Sequence, residues 1–258
     1  MIFRQFSALI RLSLLDLYRR KDLFVLLVLS LVLLAPLAMI QPFGVTGASR
    51  YMNEVAMLLI WIFSIVITLG VTSRLFPPEF ESRTIYPLLA KPIGRGTLLF
   101  GKYLGALTTS LSALLFFYLL YGMMTGLRQG EWFPPIFMQA FLLHVGFVVL
   151  LAAFGLFGSL LVTPSANMTL CGIIVGGMLF YGQRLPALAE VTPVPAKWFV
   201  WLSYAIGPHF EFFDMRQRLI HSWSMVRWDA CLLTLLYACV YSAACLLLAN
   251  ALLKRKKL

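Results

Sequence analysis

Apolar residues in this chain gather into long runs, with polar, Gly and Pro residues in the short intervals between them. Six runs are long enough, or nearly so, to cross a hydrocarbon core as a helix of about 20 residues. They are 23–40, 54–72, 97–123, 136–162, 166–183 and 229–253. The pattern predicts an all-α integral membrane protein, with six transmembrane helices in a single transmembrane domain over 1–258. Residues 1–22 mix apolar positions with Arg4, Arg11, Asp16, Arg19, Arg20 and Lys21, which predicts an amphipathic helix lying in the membrane interface. Pro36 should kink the first span.

The polar interval between the second and third spans, 77–96, carries the clearest local signals. Pro77 and Pro78 suit the first turn of a helix, Glu79 and Glu81 favour its positive N-terminal end, and Pro87 discourages continuation. A helix of about two turns is expected there. Phe80, Ile85, Leu88 and Leu89 place apolar side chains where water should reach, which calls for something to cover them.

A longer interval, 184–228, forms the outer loop. Its segment 196–207 has a core of about ten apolar residues, too few for a span, and reads as a re-entrant or interfacial helix. Counting it as a crossing would put the basic run 254–257 outside, against the charge bias derived below. After Pro208, residues Phe212, Met215, Leu219, Trp223 and Val226 recur at helical steps, with Arg216, Arg218 and Arg227 elsewhere on the wheel. This predicts an amphipathic helix on the outer leaflet. Trp132, Trp198, Trp201, Trp223 and Trp228 fall on the same side, as an aromatic belt would.

With 61% hydrophobic and 12% charged residues, the composition departs far from the roughly 25% charged residues of a soluble domain. A net charge of +11 is the kind that attracts nucleic acid, but its distribution argues for topology. With the N-terminus inside, 14 Lys and Arg fall on the cytoplasmic side and 7 outside, close to span ends. They read as orientation signals and anchors for anionic membrane lipids, not as a nucleic-acid surface. Both termini are expected in the cytoplasm. The first run, starting at 23, reads as a retained span instead of a cleaved signal. No interval is long enough for a nucleotide-hydrolysing domain, so any ATPase is another chain.

Chemistry inside the spans is sparse. Ser64, Thr68 and Thr72 share one helix face, suited to a polar path or to hydrogen bonds with neighbouring helices. His144 is the ionisable side chain placed well inside a span, a functional candidate by default or a neutral imidazole bonded to another helix. Gly172, Gly176 and Gly177 allow close helix approach, within the chain or between subunits. Cys171, Cys231, Cys239 and Cys245 all fall in spans without metal-type spacing, and are expected as buried free thiols with no metal site. The run from Gly96 to Lys102 matches seven positions of a phosphate-binding loop, but Tyr103 stands where Ser or Thr would ligate magnesium, in a membrane helix. The match is coincidental. No carboxylate lies at the membrane centre to relay protons.

The run Glu81-Ser82-Arg83-Thr84-Ile85, then Leu88-Leu89-Ala90-Lys91-Pro92-Ile93-Gly94-Arg95, then Gly101-Lys102, resembles the cytoplasmic loop of ABC type-2 transporter permeases. There a Glu, a small-Thr step, a Leu-Leu-x-x-Pro-x-x-Arg turn and a Gly-Lys pair occur in this order between the second and third spans. Arg83 stands where many members carry Gly. The resemblance implies an amphipathic connecting helix before the first span, a coupling helix in 77–96, and a dimer interface at the first and fifth spans.

On this resemblance the chain is the membrane permease subunit of an ATP-binding-cassette exporter in a plasma membrane, a bacterial inner membrane. It would bind no cofactor, with ATP and Mg held by two copies of a separate ATPase subunit. A second permease chain, identical or related, would complete the dimer. Glu79, Glu81, Arg83, Lys91 and Arg95 are the expected polar contacts to the ATPase, with Phe80 and Ile85 as apolar anchors. Two other readings are an ion-coupled secondary transporter with His144 as titrating group, and a non-transporting membrane scaffold.

Overall fold

The computed structural model describes residues 28, 48–81, 94–130, 132–193, 195–221 and 223–255, with the side chains of all but 48–52, 79, 81, 128 and 129. The expected interfacial helix, nearly all of the expected first span and positions 82–93 lie outside the described residues. Among the described residues all regular structure is helical. It comprises α1 (Ala48–Ser73), α2 (Pro77–Glu81), α3 (Arg95–Gln129), α4 (Pro135–Ser159), α5 (Pro164–Tyr181), α6 (Leu185–Val191), α7 (Ala196–Ile206), α8 (Arg216–Ile220) and α9 (Trp228–Arg255), with 3-10 turns at Gly182–Arg184 and Phe210–Phe213. Among the described residues five stretches are long and apolar enough to cross a membrane: Asn53–Ser73, Arg95–Leu127, Pro135–Ser159, Pro164–Val191 and Trp228–Arg255.

Hydrogen bonds between helix ends define the two sides of the bundle. Asn167 at the start of α5 donates to Ser73 Oγ at the end of α1 (2.9 Å), and Arg95 at the start of α3 donates to the Leu253 carbonyl near the end of α9 (3.0 Å). These ends share one side with α2, the turn side. On the opposite side Gln139, near the start of α4, exchanges two hydrogen bonds with the Val226 backbone just before α9 (2.8 and 3.1 Å).

The long helix α4 is the axis of the bundle. It is apolar on every face, and 67% of its apolar window is buried, against 22% for α9. A helix hydrophobic all round belongs in the middle. Glycines let its neighbours close in. A methyl at Gly155 would overlap Thr72 of α1, and one at Gly158 would overlap Asn167 of α5. By contrast α9 leaves Leu232, Leu233, Leu236, Val240, Leu247 and Leu248 exposed, a face for lipid or another chain.

The end of α3 shows how local sequence sets a boundary. Gly130 takes the left-handed conformation (φ 73°) and its N–H bonds to the Gly126 carbonyl, a helix stop that glycine adopts without steric cost. The following loop folds back, laying Trp132 over Gly126 and Phe133 over Gly122, where any side chain would collide with the rings.

Two expectations are corrected beyond the turn. The stripe from Phe212 to Val226 is not one interfacial helix: a 3-10 turn, the five-residue α8 and an extended segment replace it. Asp214 breaks the run by accepting the Arg216 backbone N–H (3.0 Å), a local competitor of the helix ladder. Met215 and Leu219 are buried in the core, while Phe212 and Trp223 are exposed, so the apolar stripe divides between bundle and surface. Cys239 is exposed, unlike the buried Cys171, Cys231 and Cys245, because it sits on the outward face of the peripheral α9. The 11 residues of α7 rise about 16 Å, roughly half a hydrocarbon core. Its Trp198, Phe199, Leu202 and Ile206 are exposed. The Tyr241 hydroxyl, donating to the Ile206 carbonyl (2.8 Å), ties its end to α9.

Candidate functional site

The turn between α1 and α3 starts where α1 runs out of hydrogen bonds. Arg74 and Leu75 close it with weak main-chain bonds to Val71 and Thr72 (3.4 and 3.3 Å), and three residues later α2 begins at Pro77. Its five described residues make about one and a half turns, and the rest of the expected two-turn helix lies outside the described residues. Phe76, wholly buried, is the plug beneath it. Phe76 packs with Leu98, Leu99, Tyr103, Leu156, Ala249 and Leu253 from α3, α4 and α9, and stacks on Phe80 (6.0 Å). Phe80, expected as an anchor for another protein, is thus partly covered by the bundle itself. Glu79 and Glu81 lie on α2 with side chains not described, and Arg83, Ile85 and Lys91 lie outside the described residues.

Two basic residues fasten this turn side. Lys102, two turns into α3 and 6% exposed, donates from Nζ to the Leu75 carbonyl (2.7 Å) and holds the ammonium 4.6 Å from the centre of the Phe76 ring. The carbonyl and the ring face substitute for water around the charge. Arg95 donates from Nη1 to the carbonyls of Leu253 and Lys254 (both 3.0 Å). It therefore caps the C-terminal end of α9, where a cation meets free carbonyls and the negative end of the helix dipole.

The polar residues of α1 face inward. Ser64, Thr68 and Thr72 are all buried. Thr72 bonds back to the Thr68 carbonyl (2.7 Å), and Ser64 to the Trp61 carbonyl (2.9 Å). His144 is fully buried with Nε2 2.8 Å from Ser64 Oγ and Nδ1 3.2 Å from the Tyr118 hydroxyl. A neutral imidazole has one N–H, so it donates to one hydroxyl and accepts from the other. The ring stacks on Trp61 (4.4 Å), and the Arg216 guanidinium lies 5.1 Å over the same indole, itself paired through two bonds with Asp214 (2.9 and 2.7 Å). Gly172, Gly176 and Gly177 are elsewhere, on a part of α5 where an added methyl meets nothing within 4 Å. Among the described residues Ser64 and His144 meet inside the bundle, Arg95 caps the end of α9, and the three glycines lie on an uncontacted part of α5.

Some residues with a structural claim on the site were not singled out beforehand. Lys102 was legible only as half of a Gly-Lys pair, and nothing in sequence says that its ammonium reaches back to Leu75. Asn167 is 1% exposed and bonds to Ser73 Oγ and the Gly155 carbonyl (2.8 Å) while accepting from Cys171 (3.2 Å). An Asn early in an apolar helix was the available signal, since such a side chain needs partners inside the membrane.

A helical bundle with this many apolar spans, and a short helix anchored at one side, defines a multi-pass membrane protein. A family model described as ABC-2 family transporter protein matches residues 17–183. That is more than half of the chain, which belongs to the ABC-2 transporter family. It is thus a permease of the ABC type, a class that works with an ABC ATPase. No curated protein matches the chain.

Proposed function

We propose that this chain is the transmembrane subunit of an ATP-driven exporter, built from two permease chains and two separate ATPase subunits that dock on the 77–96 segment at the cytoplasmic face. Family membership supports the class, and the excess of Lys and Arg on the turn side supports its cytoplasmic orientation. One observation carries the docking reading. The helix α2 hangs on a lead of three residues after α1, and that lead is fastened to α3 by Lys102 and plugged into the bundle by Phe76. A push on α2 therefore meets the ends of two spans and not a slack loop.

In operation, ATP-driven closure of the ATPase subunits moves α2, and the packed helix ends convert that movement into rigid-body tilting of the spans. ATP and Mg are held by the partner. Two chains line a pathway between them, which gives the exposed faces of α5 and α9 a role as subunit or lipid contacts. The polar bets remain Glu79, Glu81, Arg83, Lys91 and Arg95.

The test is capture of an ATP-binding-cassette subunit by the tagged chain from native membranes. Glu81→Lys is expected to insert and assemble normally and to lose capture tenfold or more, since reversing one charge of a desolvated pair costs at least about 2 kcal/mol. Undiminished capture removes Glu81 from the interface, and no capture by the parent chain refutes the docking reading.

A further inference from the structure

We propose that Lys102 is the positioning residue through which displacement of α2 reaches α3, a role that rests on the docking reading above. A lysine two turns inside a span, 6% exposed, is an unusual resident of a membrane helix unless its charge has partners. In a helix the side chain leans toward the N-terminal end, here back toward the turn. There Nζ meets the Leu75 carbonyl at 2.7 Å and the Phe76 ring at 4.6 Å.

Both partners belong to the same short stretch, the lead from α1 into α2. Between Ser73 and Pro77 the N–H groups of Arg74 and Leu75 make long main-chain bonds (3.4 and 3.3 Å), and the Phe76 carbonyl accepts from Phe80 of α2 (3.1 Å). The lysine binds one peptide carbonyl and one ring of this lead to a single point on α3. Arg95, one end of the same helix, continues the linkage to the Leu253 and Lys254 carbonyls of α9. The arrangement thus runs from α2 through Lys102 to α3 and through Arg95 to α9. Lys102 itself lies beneath the surface, so deleting its ammonium is expected to leave docking intact.

Lys102→Met retains the length and apolar stem of the side chain and deletes the ammonium. In the complex of the full chain with its ATP-binding subunit, in nanodiscs, a nucleotide and vanadate trap should alter hydrogen exchange of peptides covering both 74–81 and 95–110. In Lys102→Met the subunit is captured as before and the change at 74–81 stays, but the change at 95–110 is lost; Lys102→Arg restores it. Persistence of the 95–110 response in Lys102→Met overturns the proposal, and so does loss of capture, which would make the lysine a shaper of the docking surface. If the parent chain captures no ATP-binding subunit, the docking reading fails and this one with it, a result distinct from either. Should Lys102→Met fail to insert, Phe76→Leu removes the ring beneath the ammonium, and carries the same expectation of intact capture with a diminished response at 95–110.

Discussion

Replacing His144 separates two roles for a buried imidazole, since its surroundings allow the two contributions to be sized. The ring is fully buried, stacked on Trp61 at 4.4 Å and edge-on to Tyr118 and Phe147 at 5.6 Å. Each polar partner also has a main-chain carbonyl within reach, Ser64 that of Trp61 and Tyr118 that of Ala140 (3.3 Å), so the hydroxyl that gives its proton to the imidazole can turn to its carbonyl when the ring is removed. Deleting the imidazole therefore leaves neither hydroxyl without an acceptor. The interhelical hydrogen bonds contribute roughly 0.6 kcal/mol each, as is typical inside membranes. The emptied space matters more: truncating a buried ring to Ala costs about 3 kcal/mol or more. His144→Ala should thus destabilise by about 4 kcal/mol and His144→Phe, which refills the space, by only about 1 kcal/mol. Titration of the purified protein with SDS in mixed micelles, followed by circular dichroism, measures both. Equal losses for the two variants would refute the packing argument and make the hydrogen bonds dominant. In reconstituted vesicles, transport that persists without nucleotide and disappears in a stably folded His144→Phe would instead make the imidazole an ion-coupling group, as the secondary-transporter reading requires.

Gly155→Ala should cost about 1 to 3 kcal/mol because the new methyl collides with Thr72 and crowds Leu69, whereas Gly176→Ala should leave the unfolding of the single chain within about 0.5 kcal/mol. If a second copy packs on α5, Gly176→Leu lowers the crosslinked dimer yield without lowering that stability. Gln139→Leu strips both bonds from the Val226 backbone, at about 2 kcal/mol, and should speed protease cleavage in the 221–228 segment relative to the parent protein.

Spans were legible in the sequence because the need to bury about 20 apolar residues in a helix is local. Five of the apolar runs coincide with helices here, and the Pro77-Pro78 start of α2 was written in the chain in the same way. The polar interval before α3 could be recognised from residue types and order alone. What could not be read is which faces meet. Whether Met215 and Leu219 turn to the core or the surface depends on Asp214 holding Arg216, and on how α8 meets α1 and α4. Phe80 looked like an orphan awaiting a partner until Phe76 and the ends of α3, α4 and α9 were seen around it. The reach of Lys102 to Leu75 spans 27 positions, and that of Arg95 to Leu253 spans 158. Hydrophobic length fixes where a helix crosses, but a charge finds its partner only when the helices have chosen neighbours, and that choice belongs to the folded bundle.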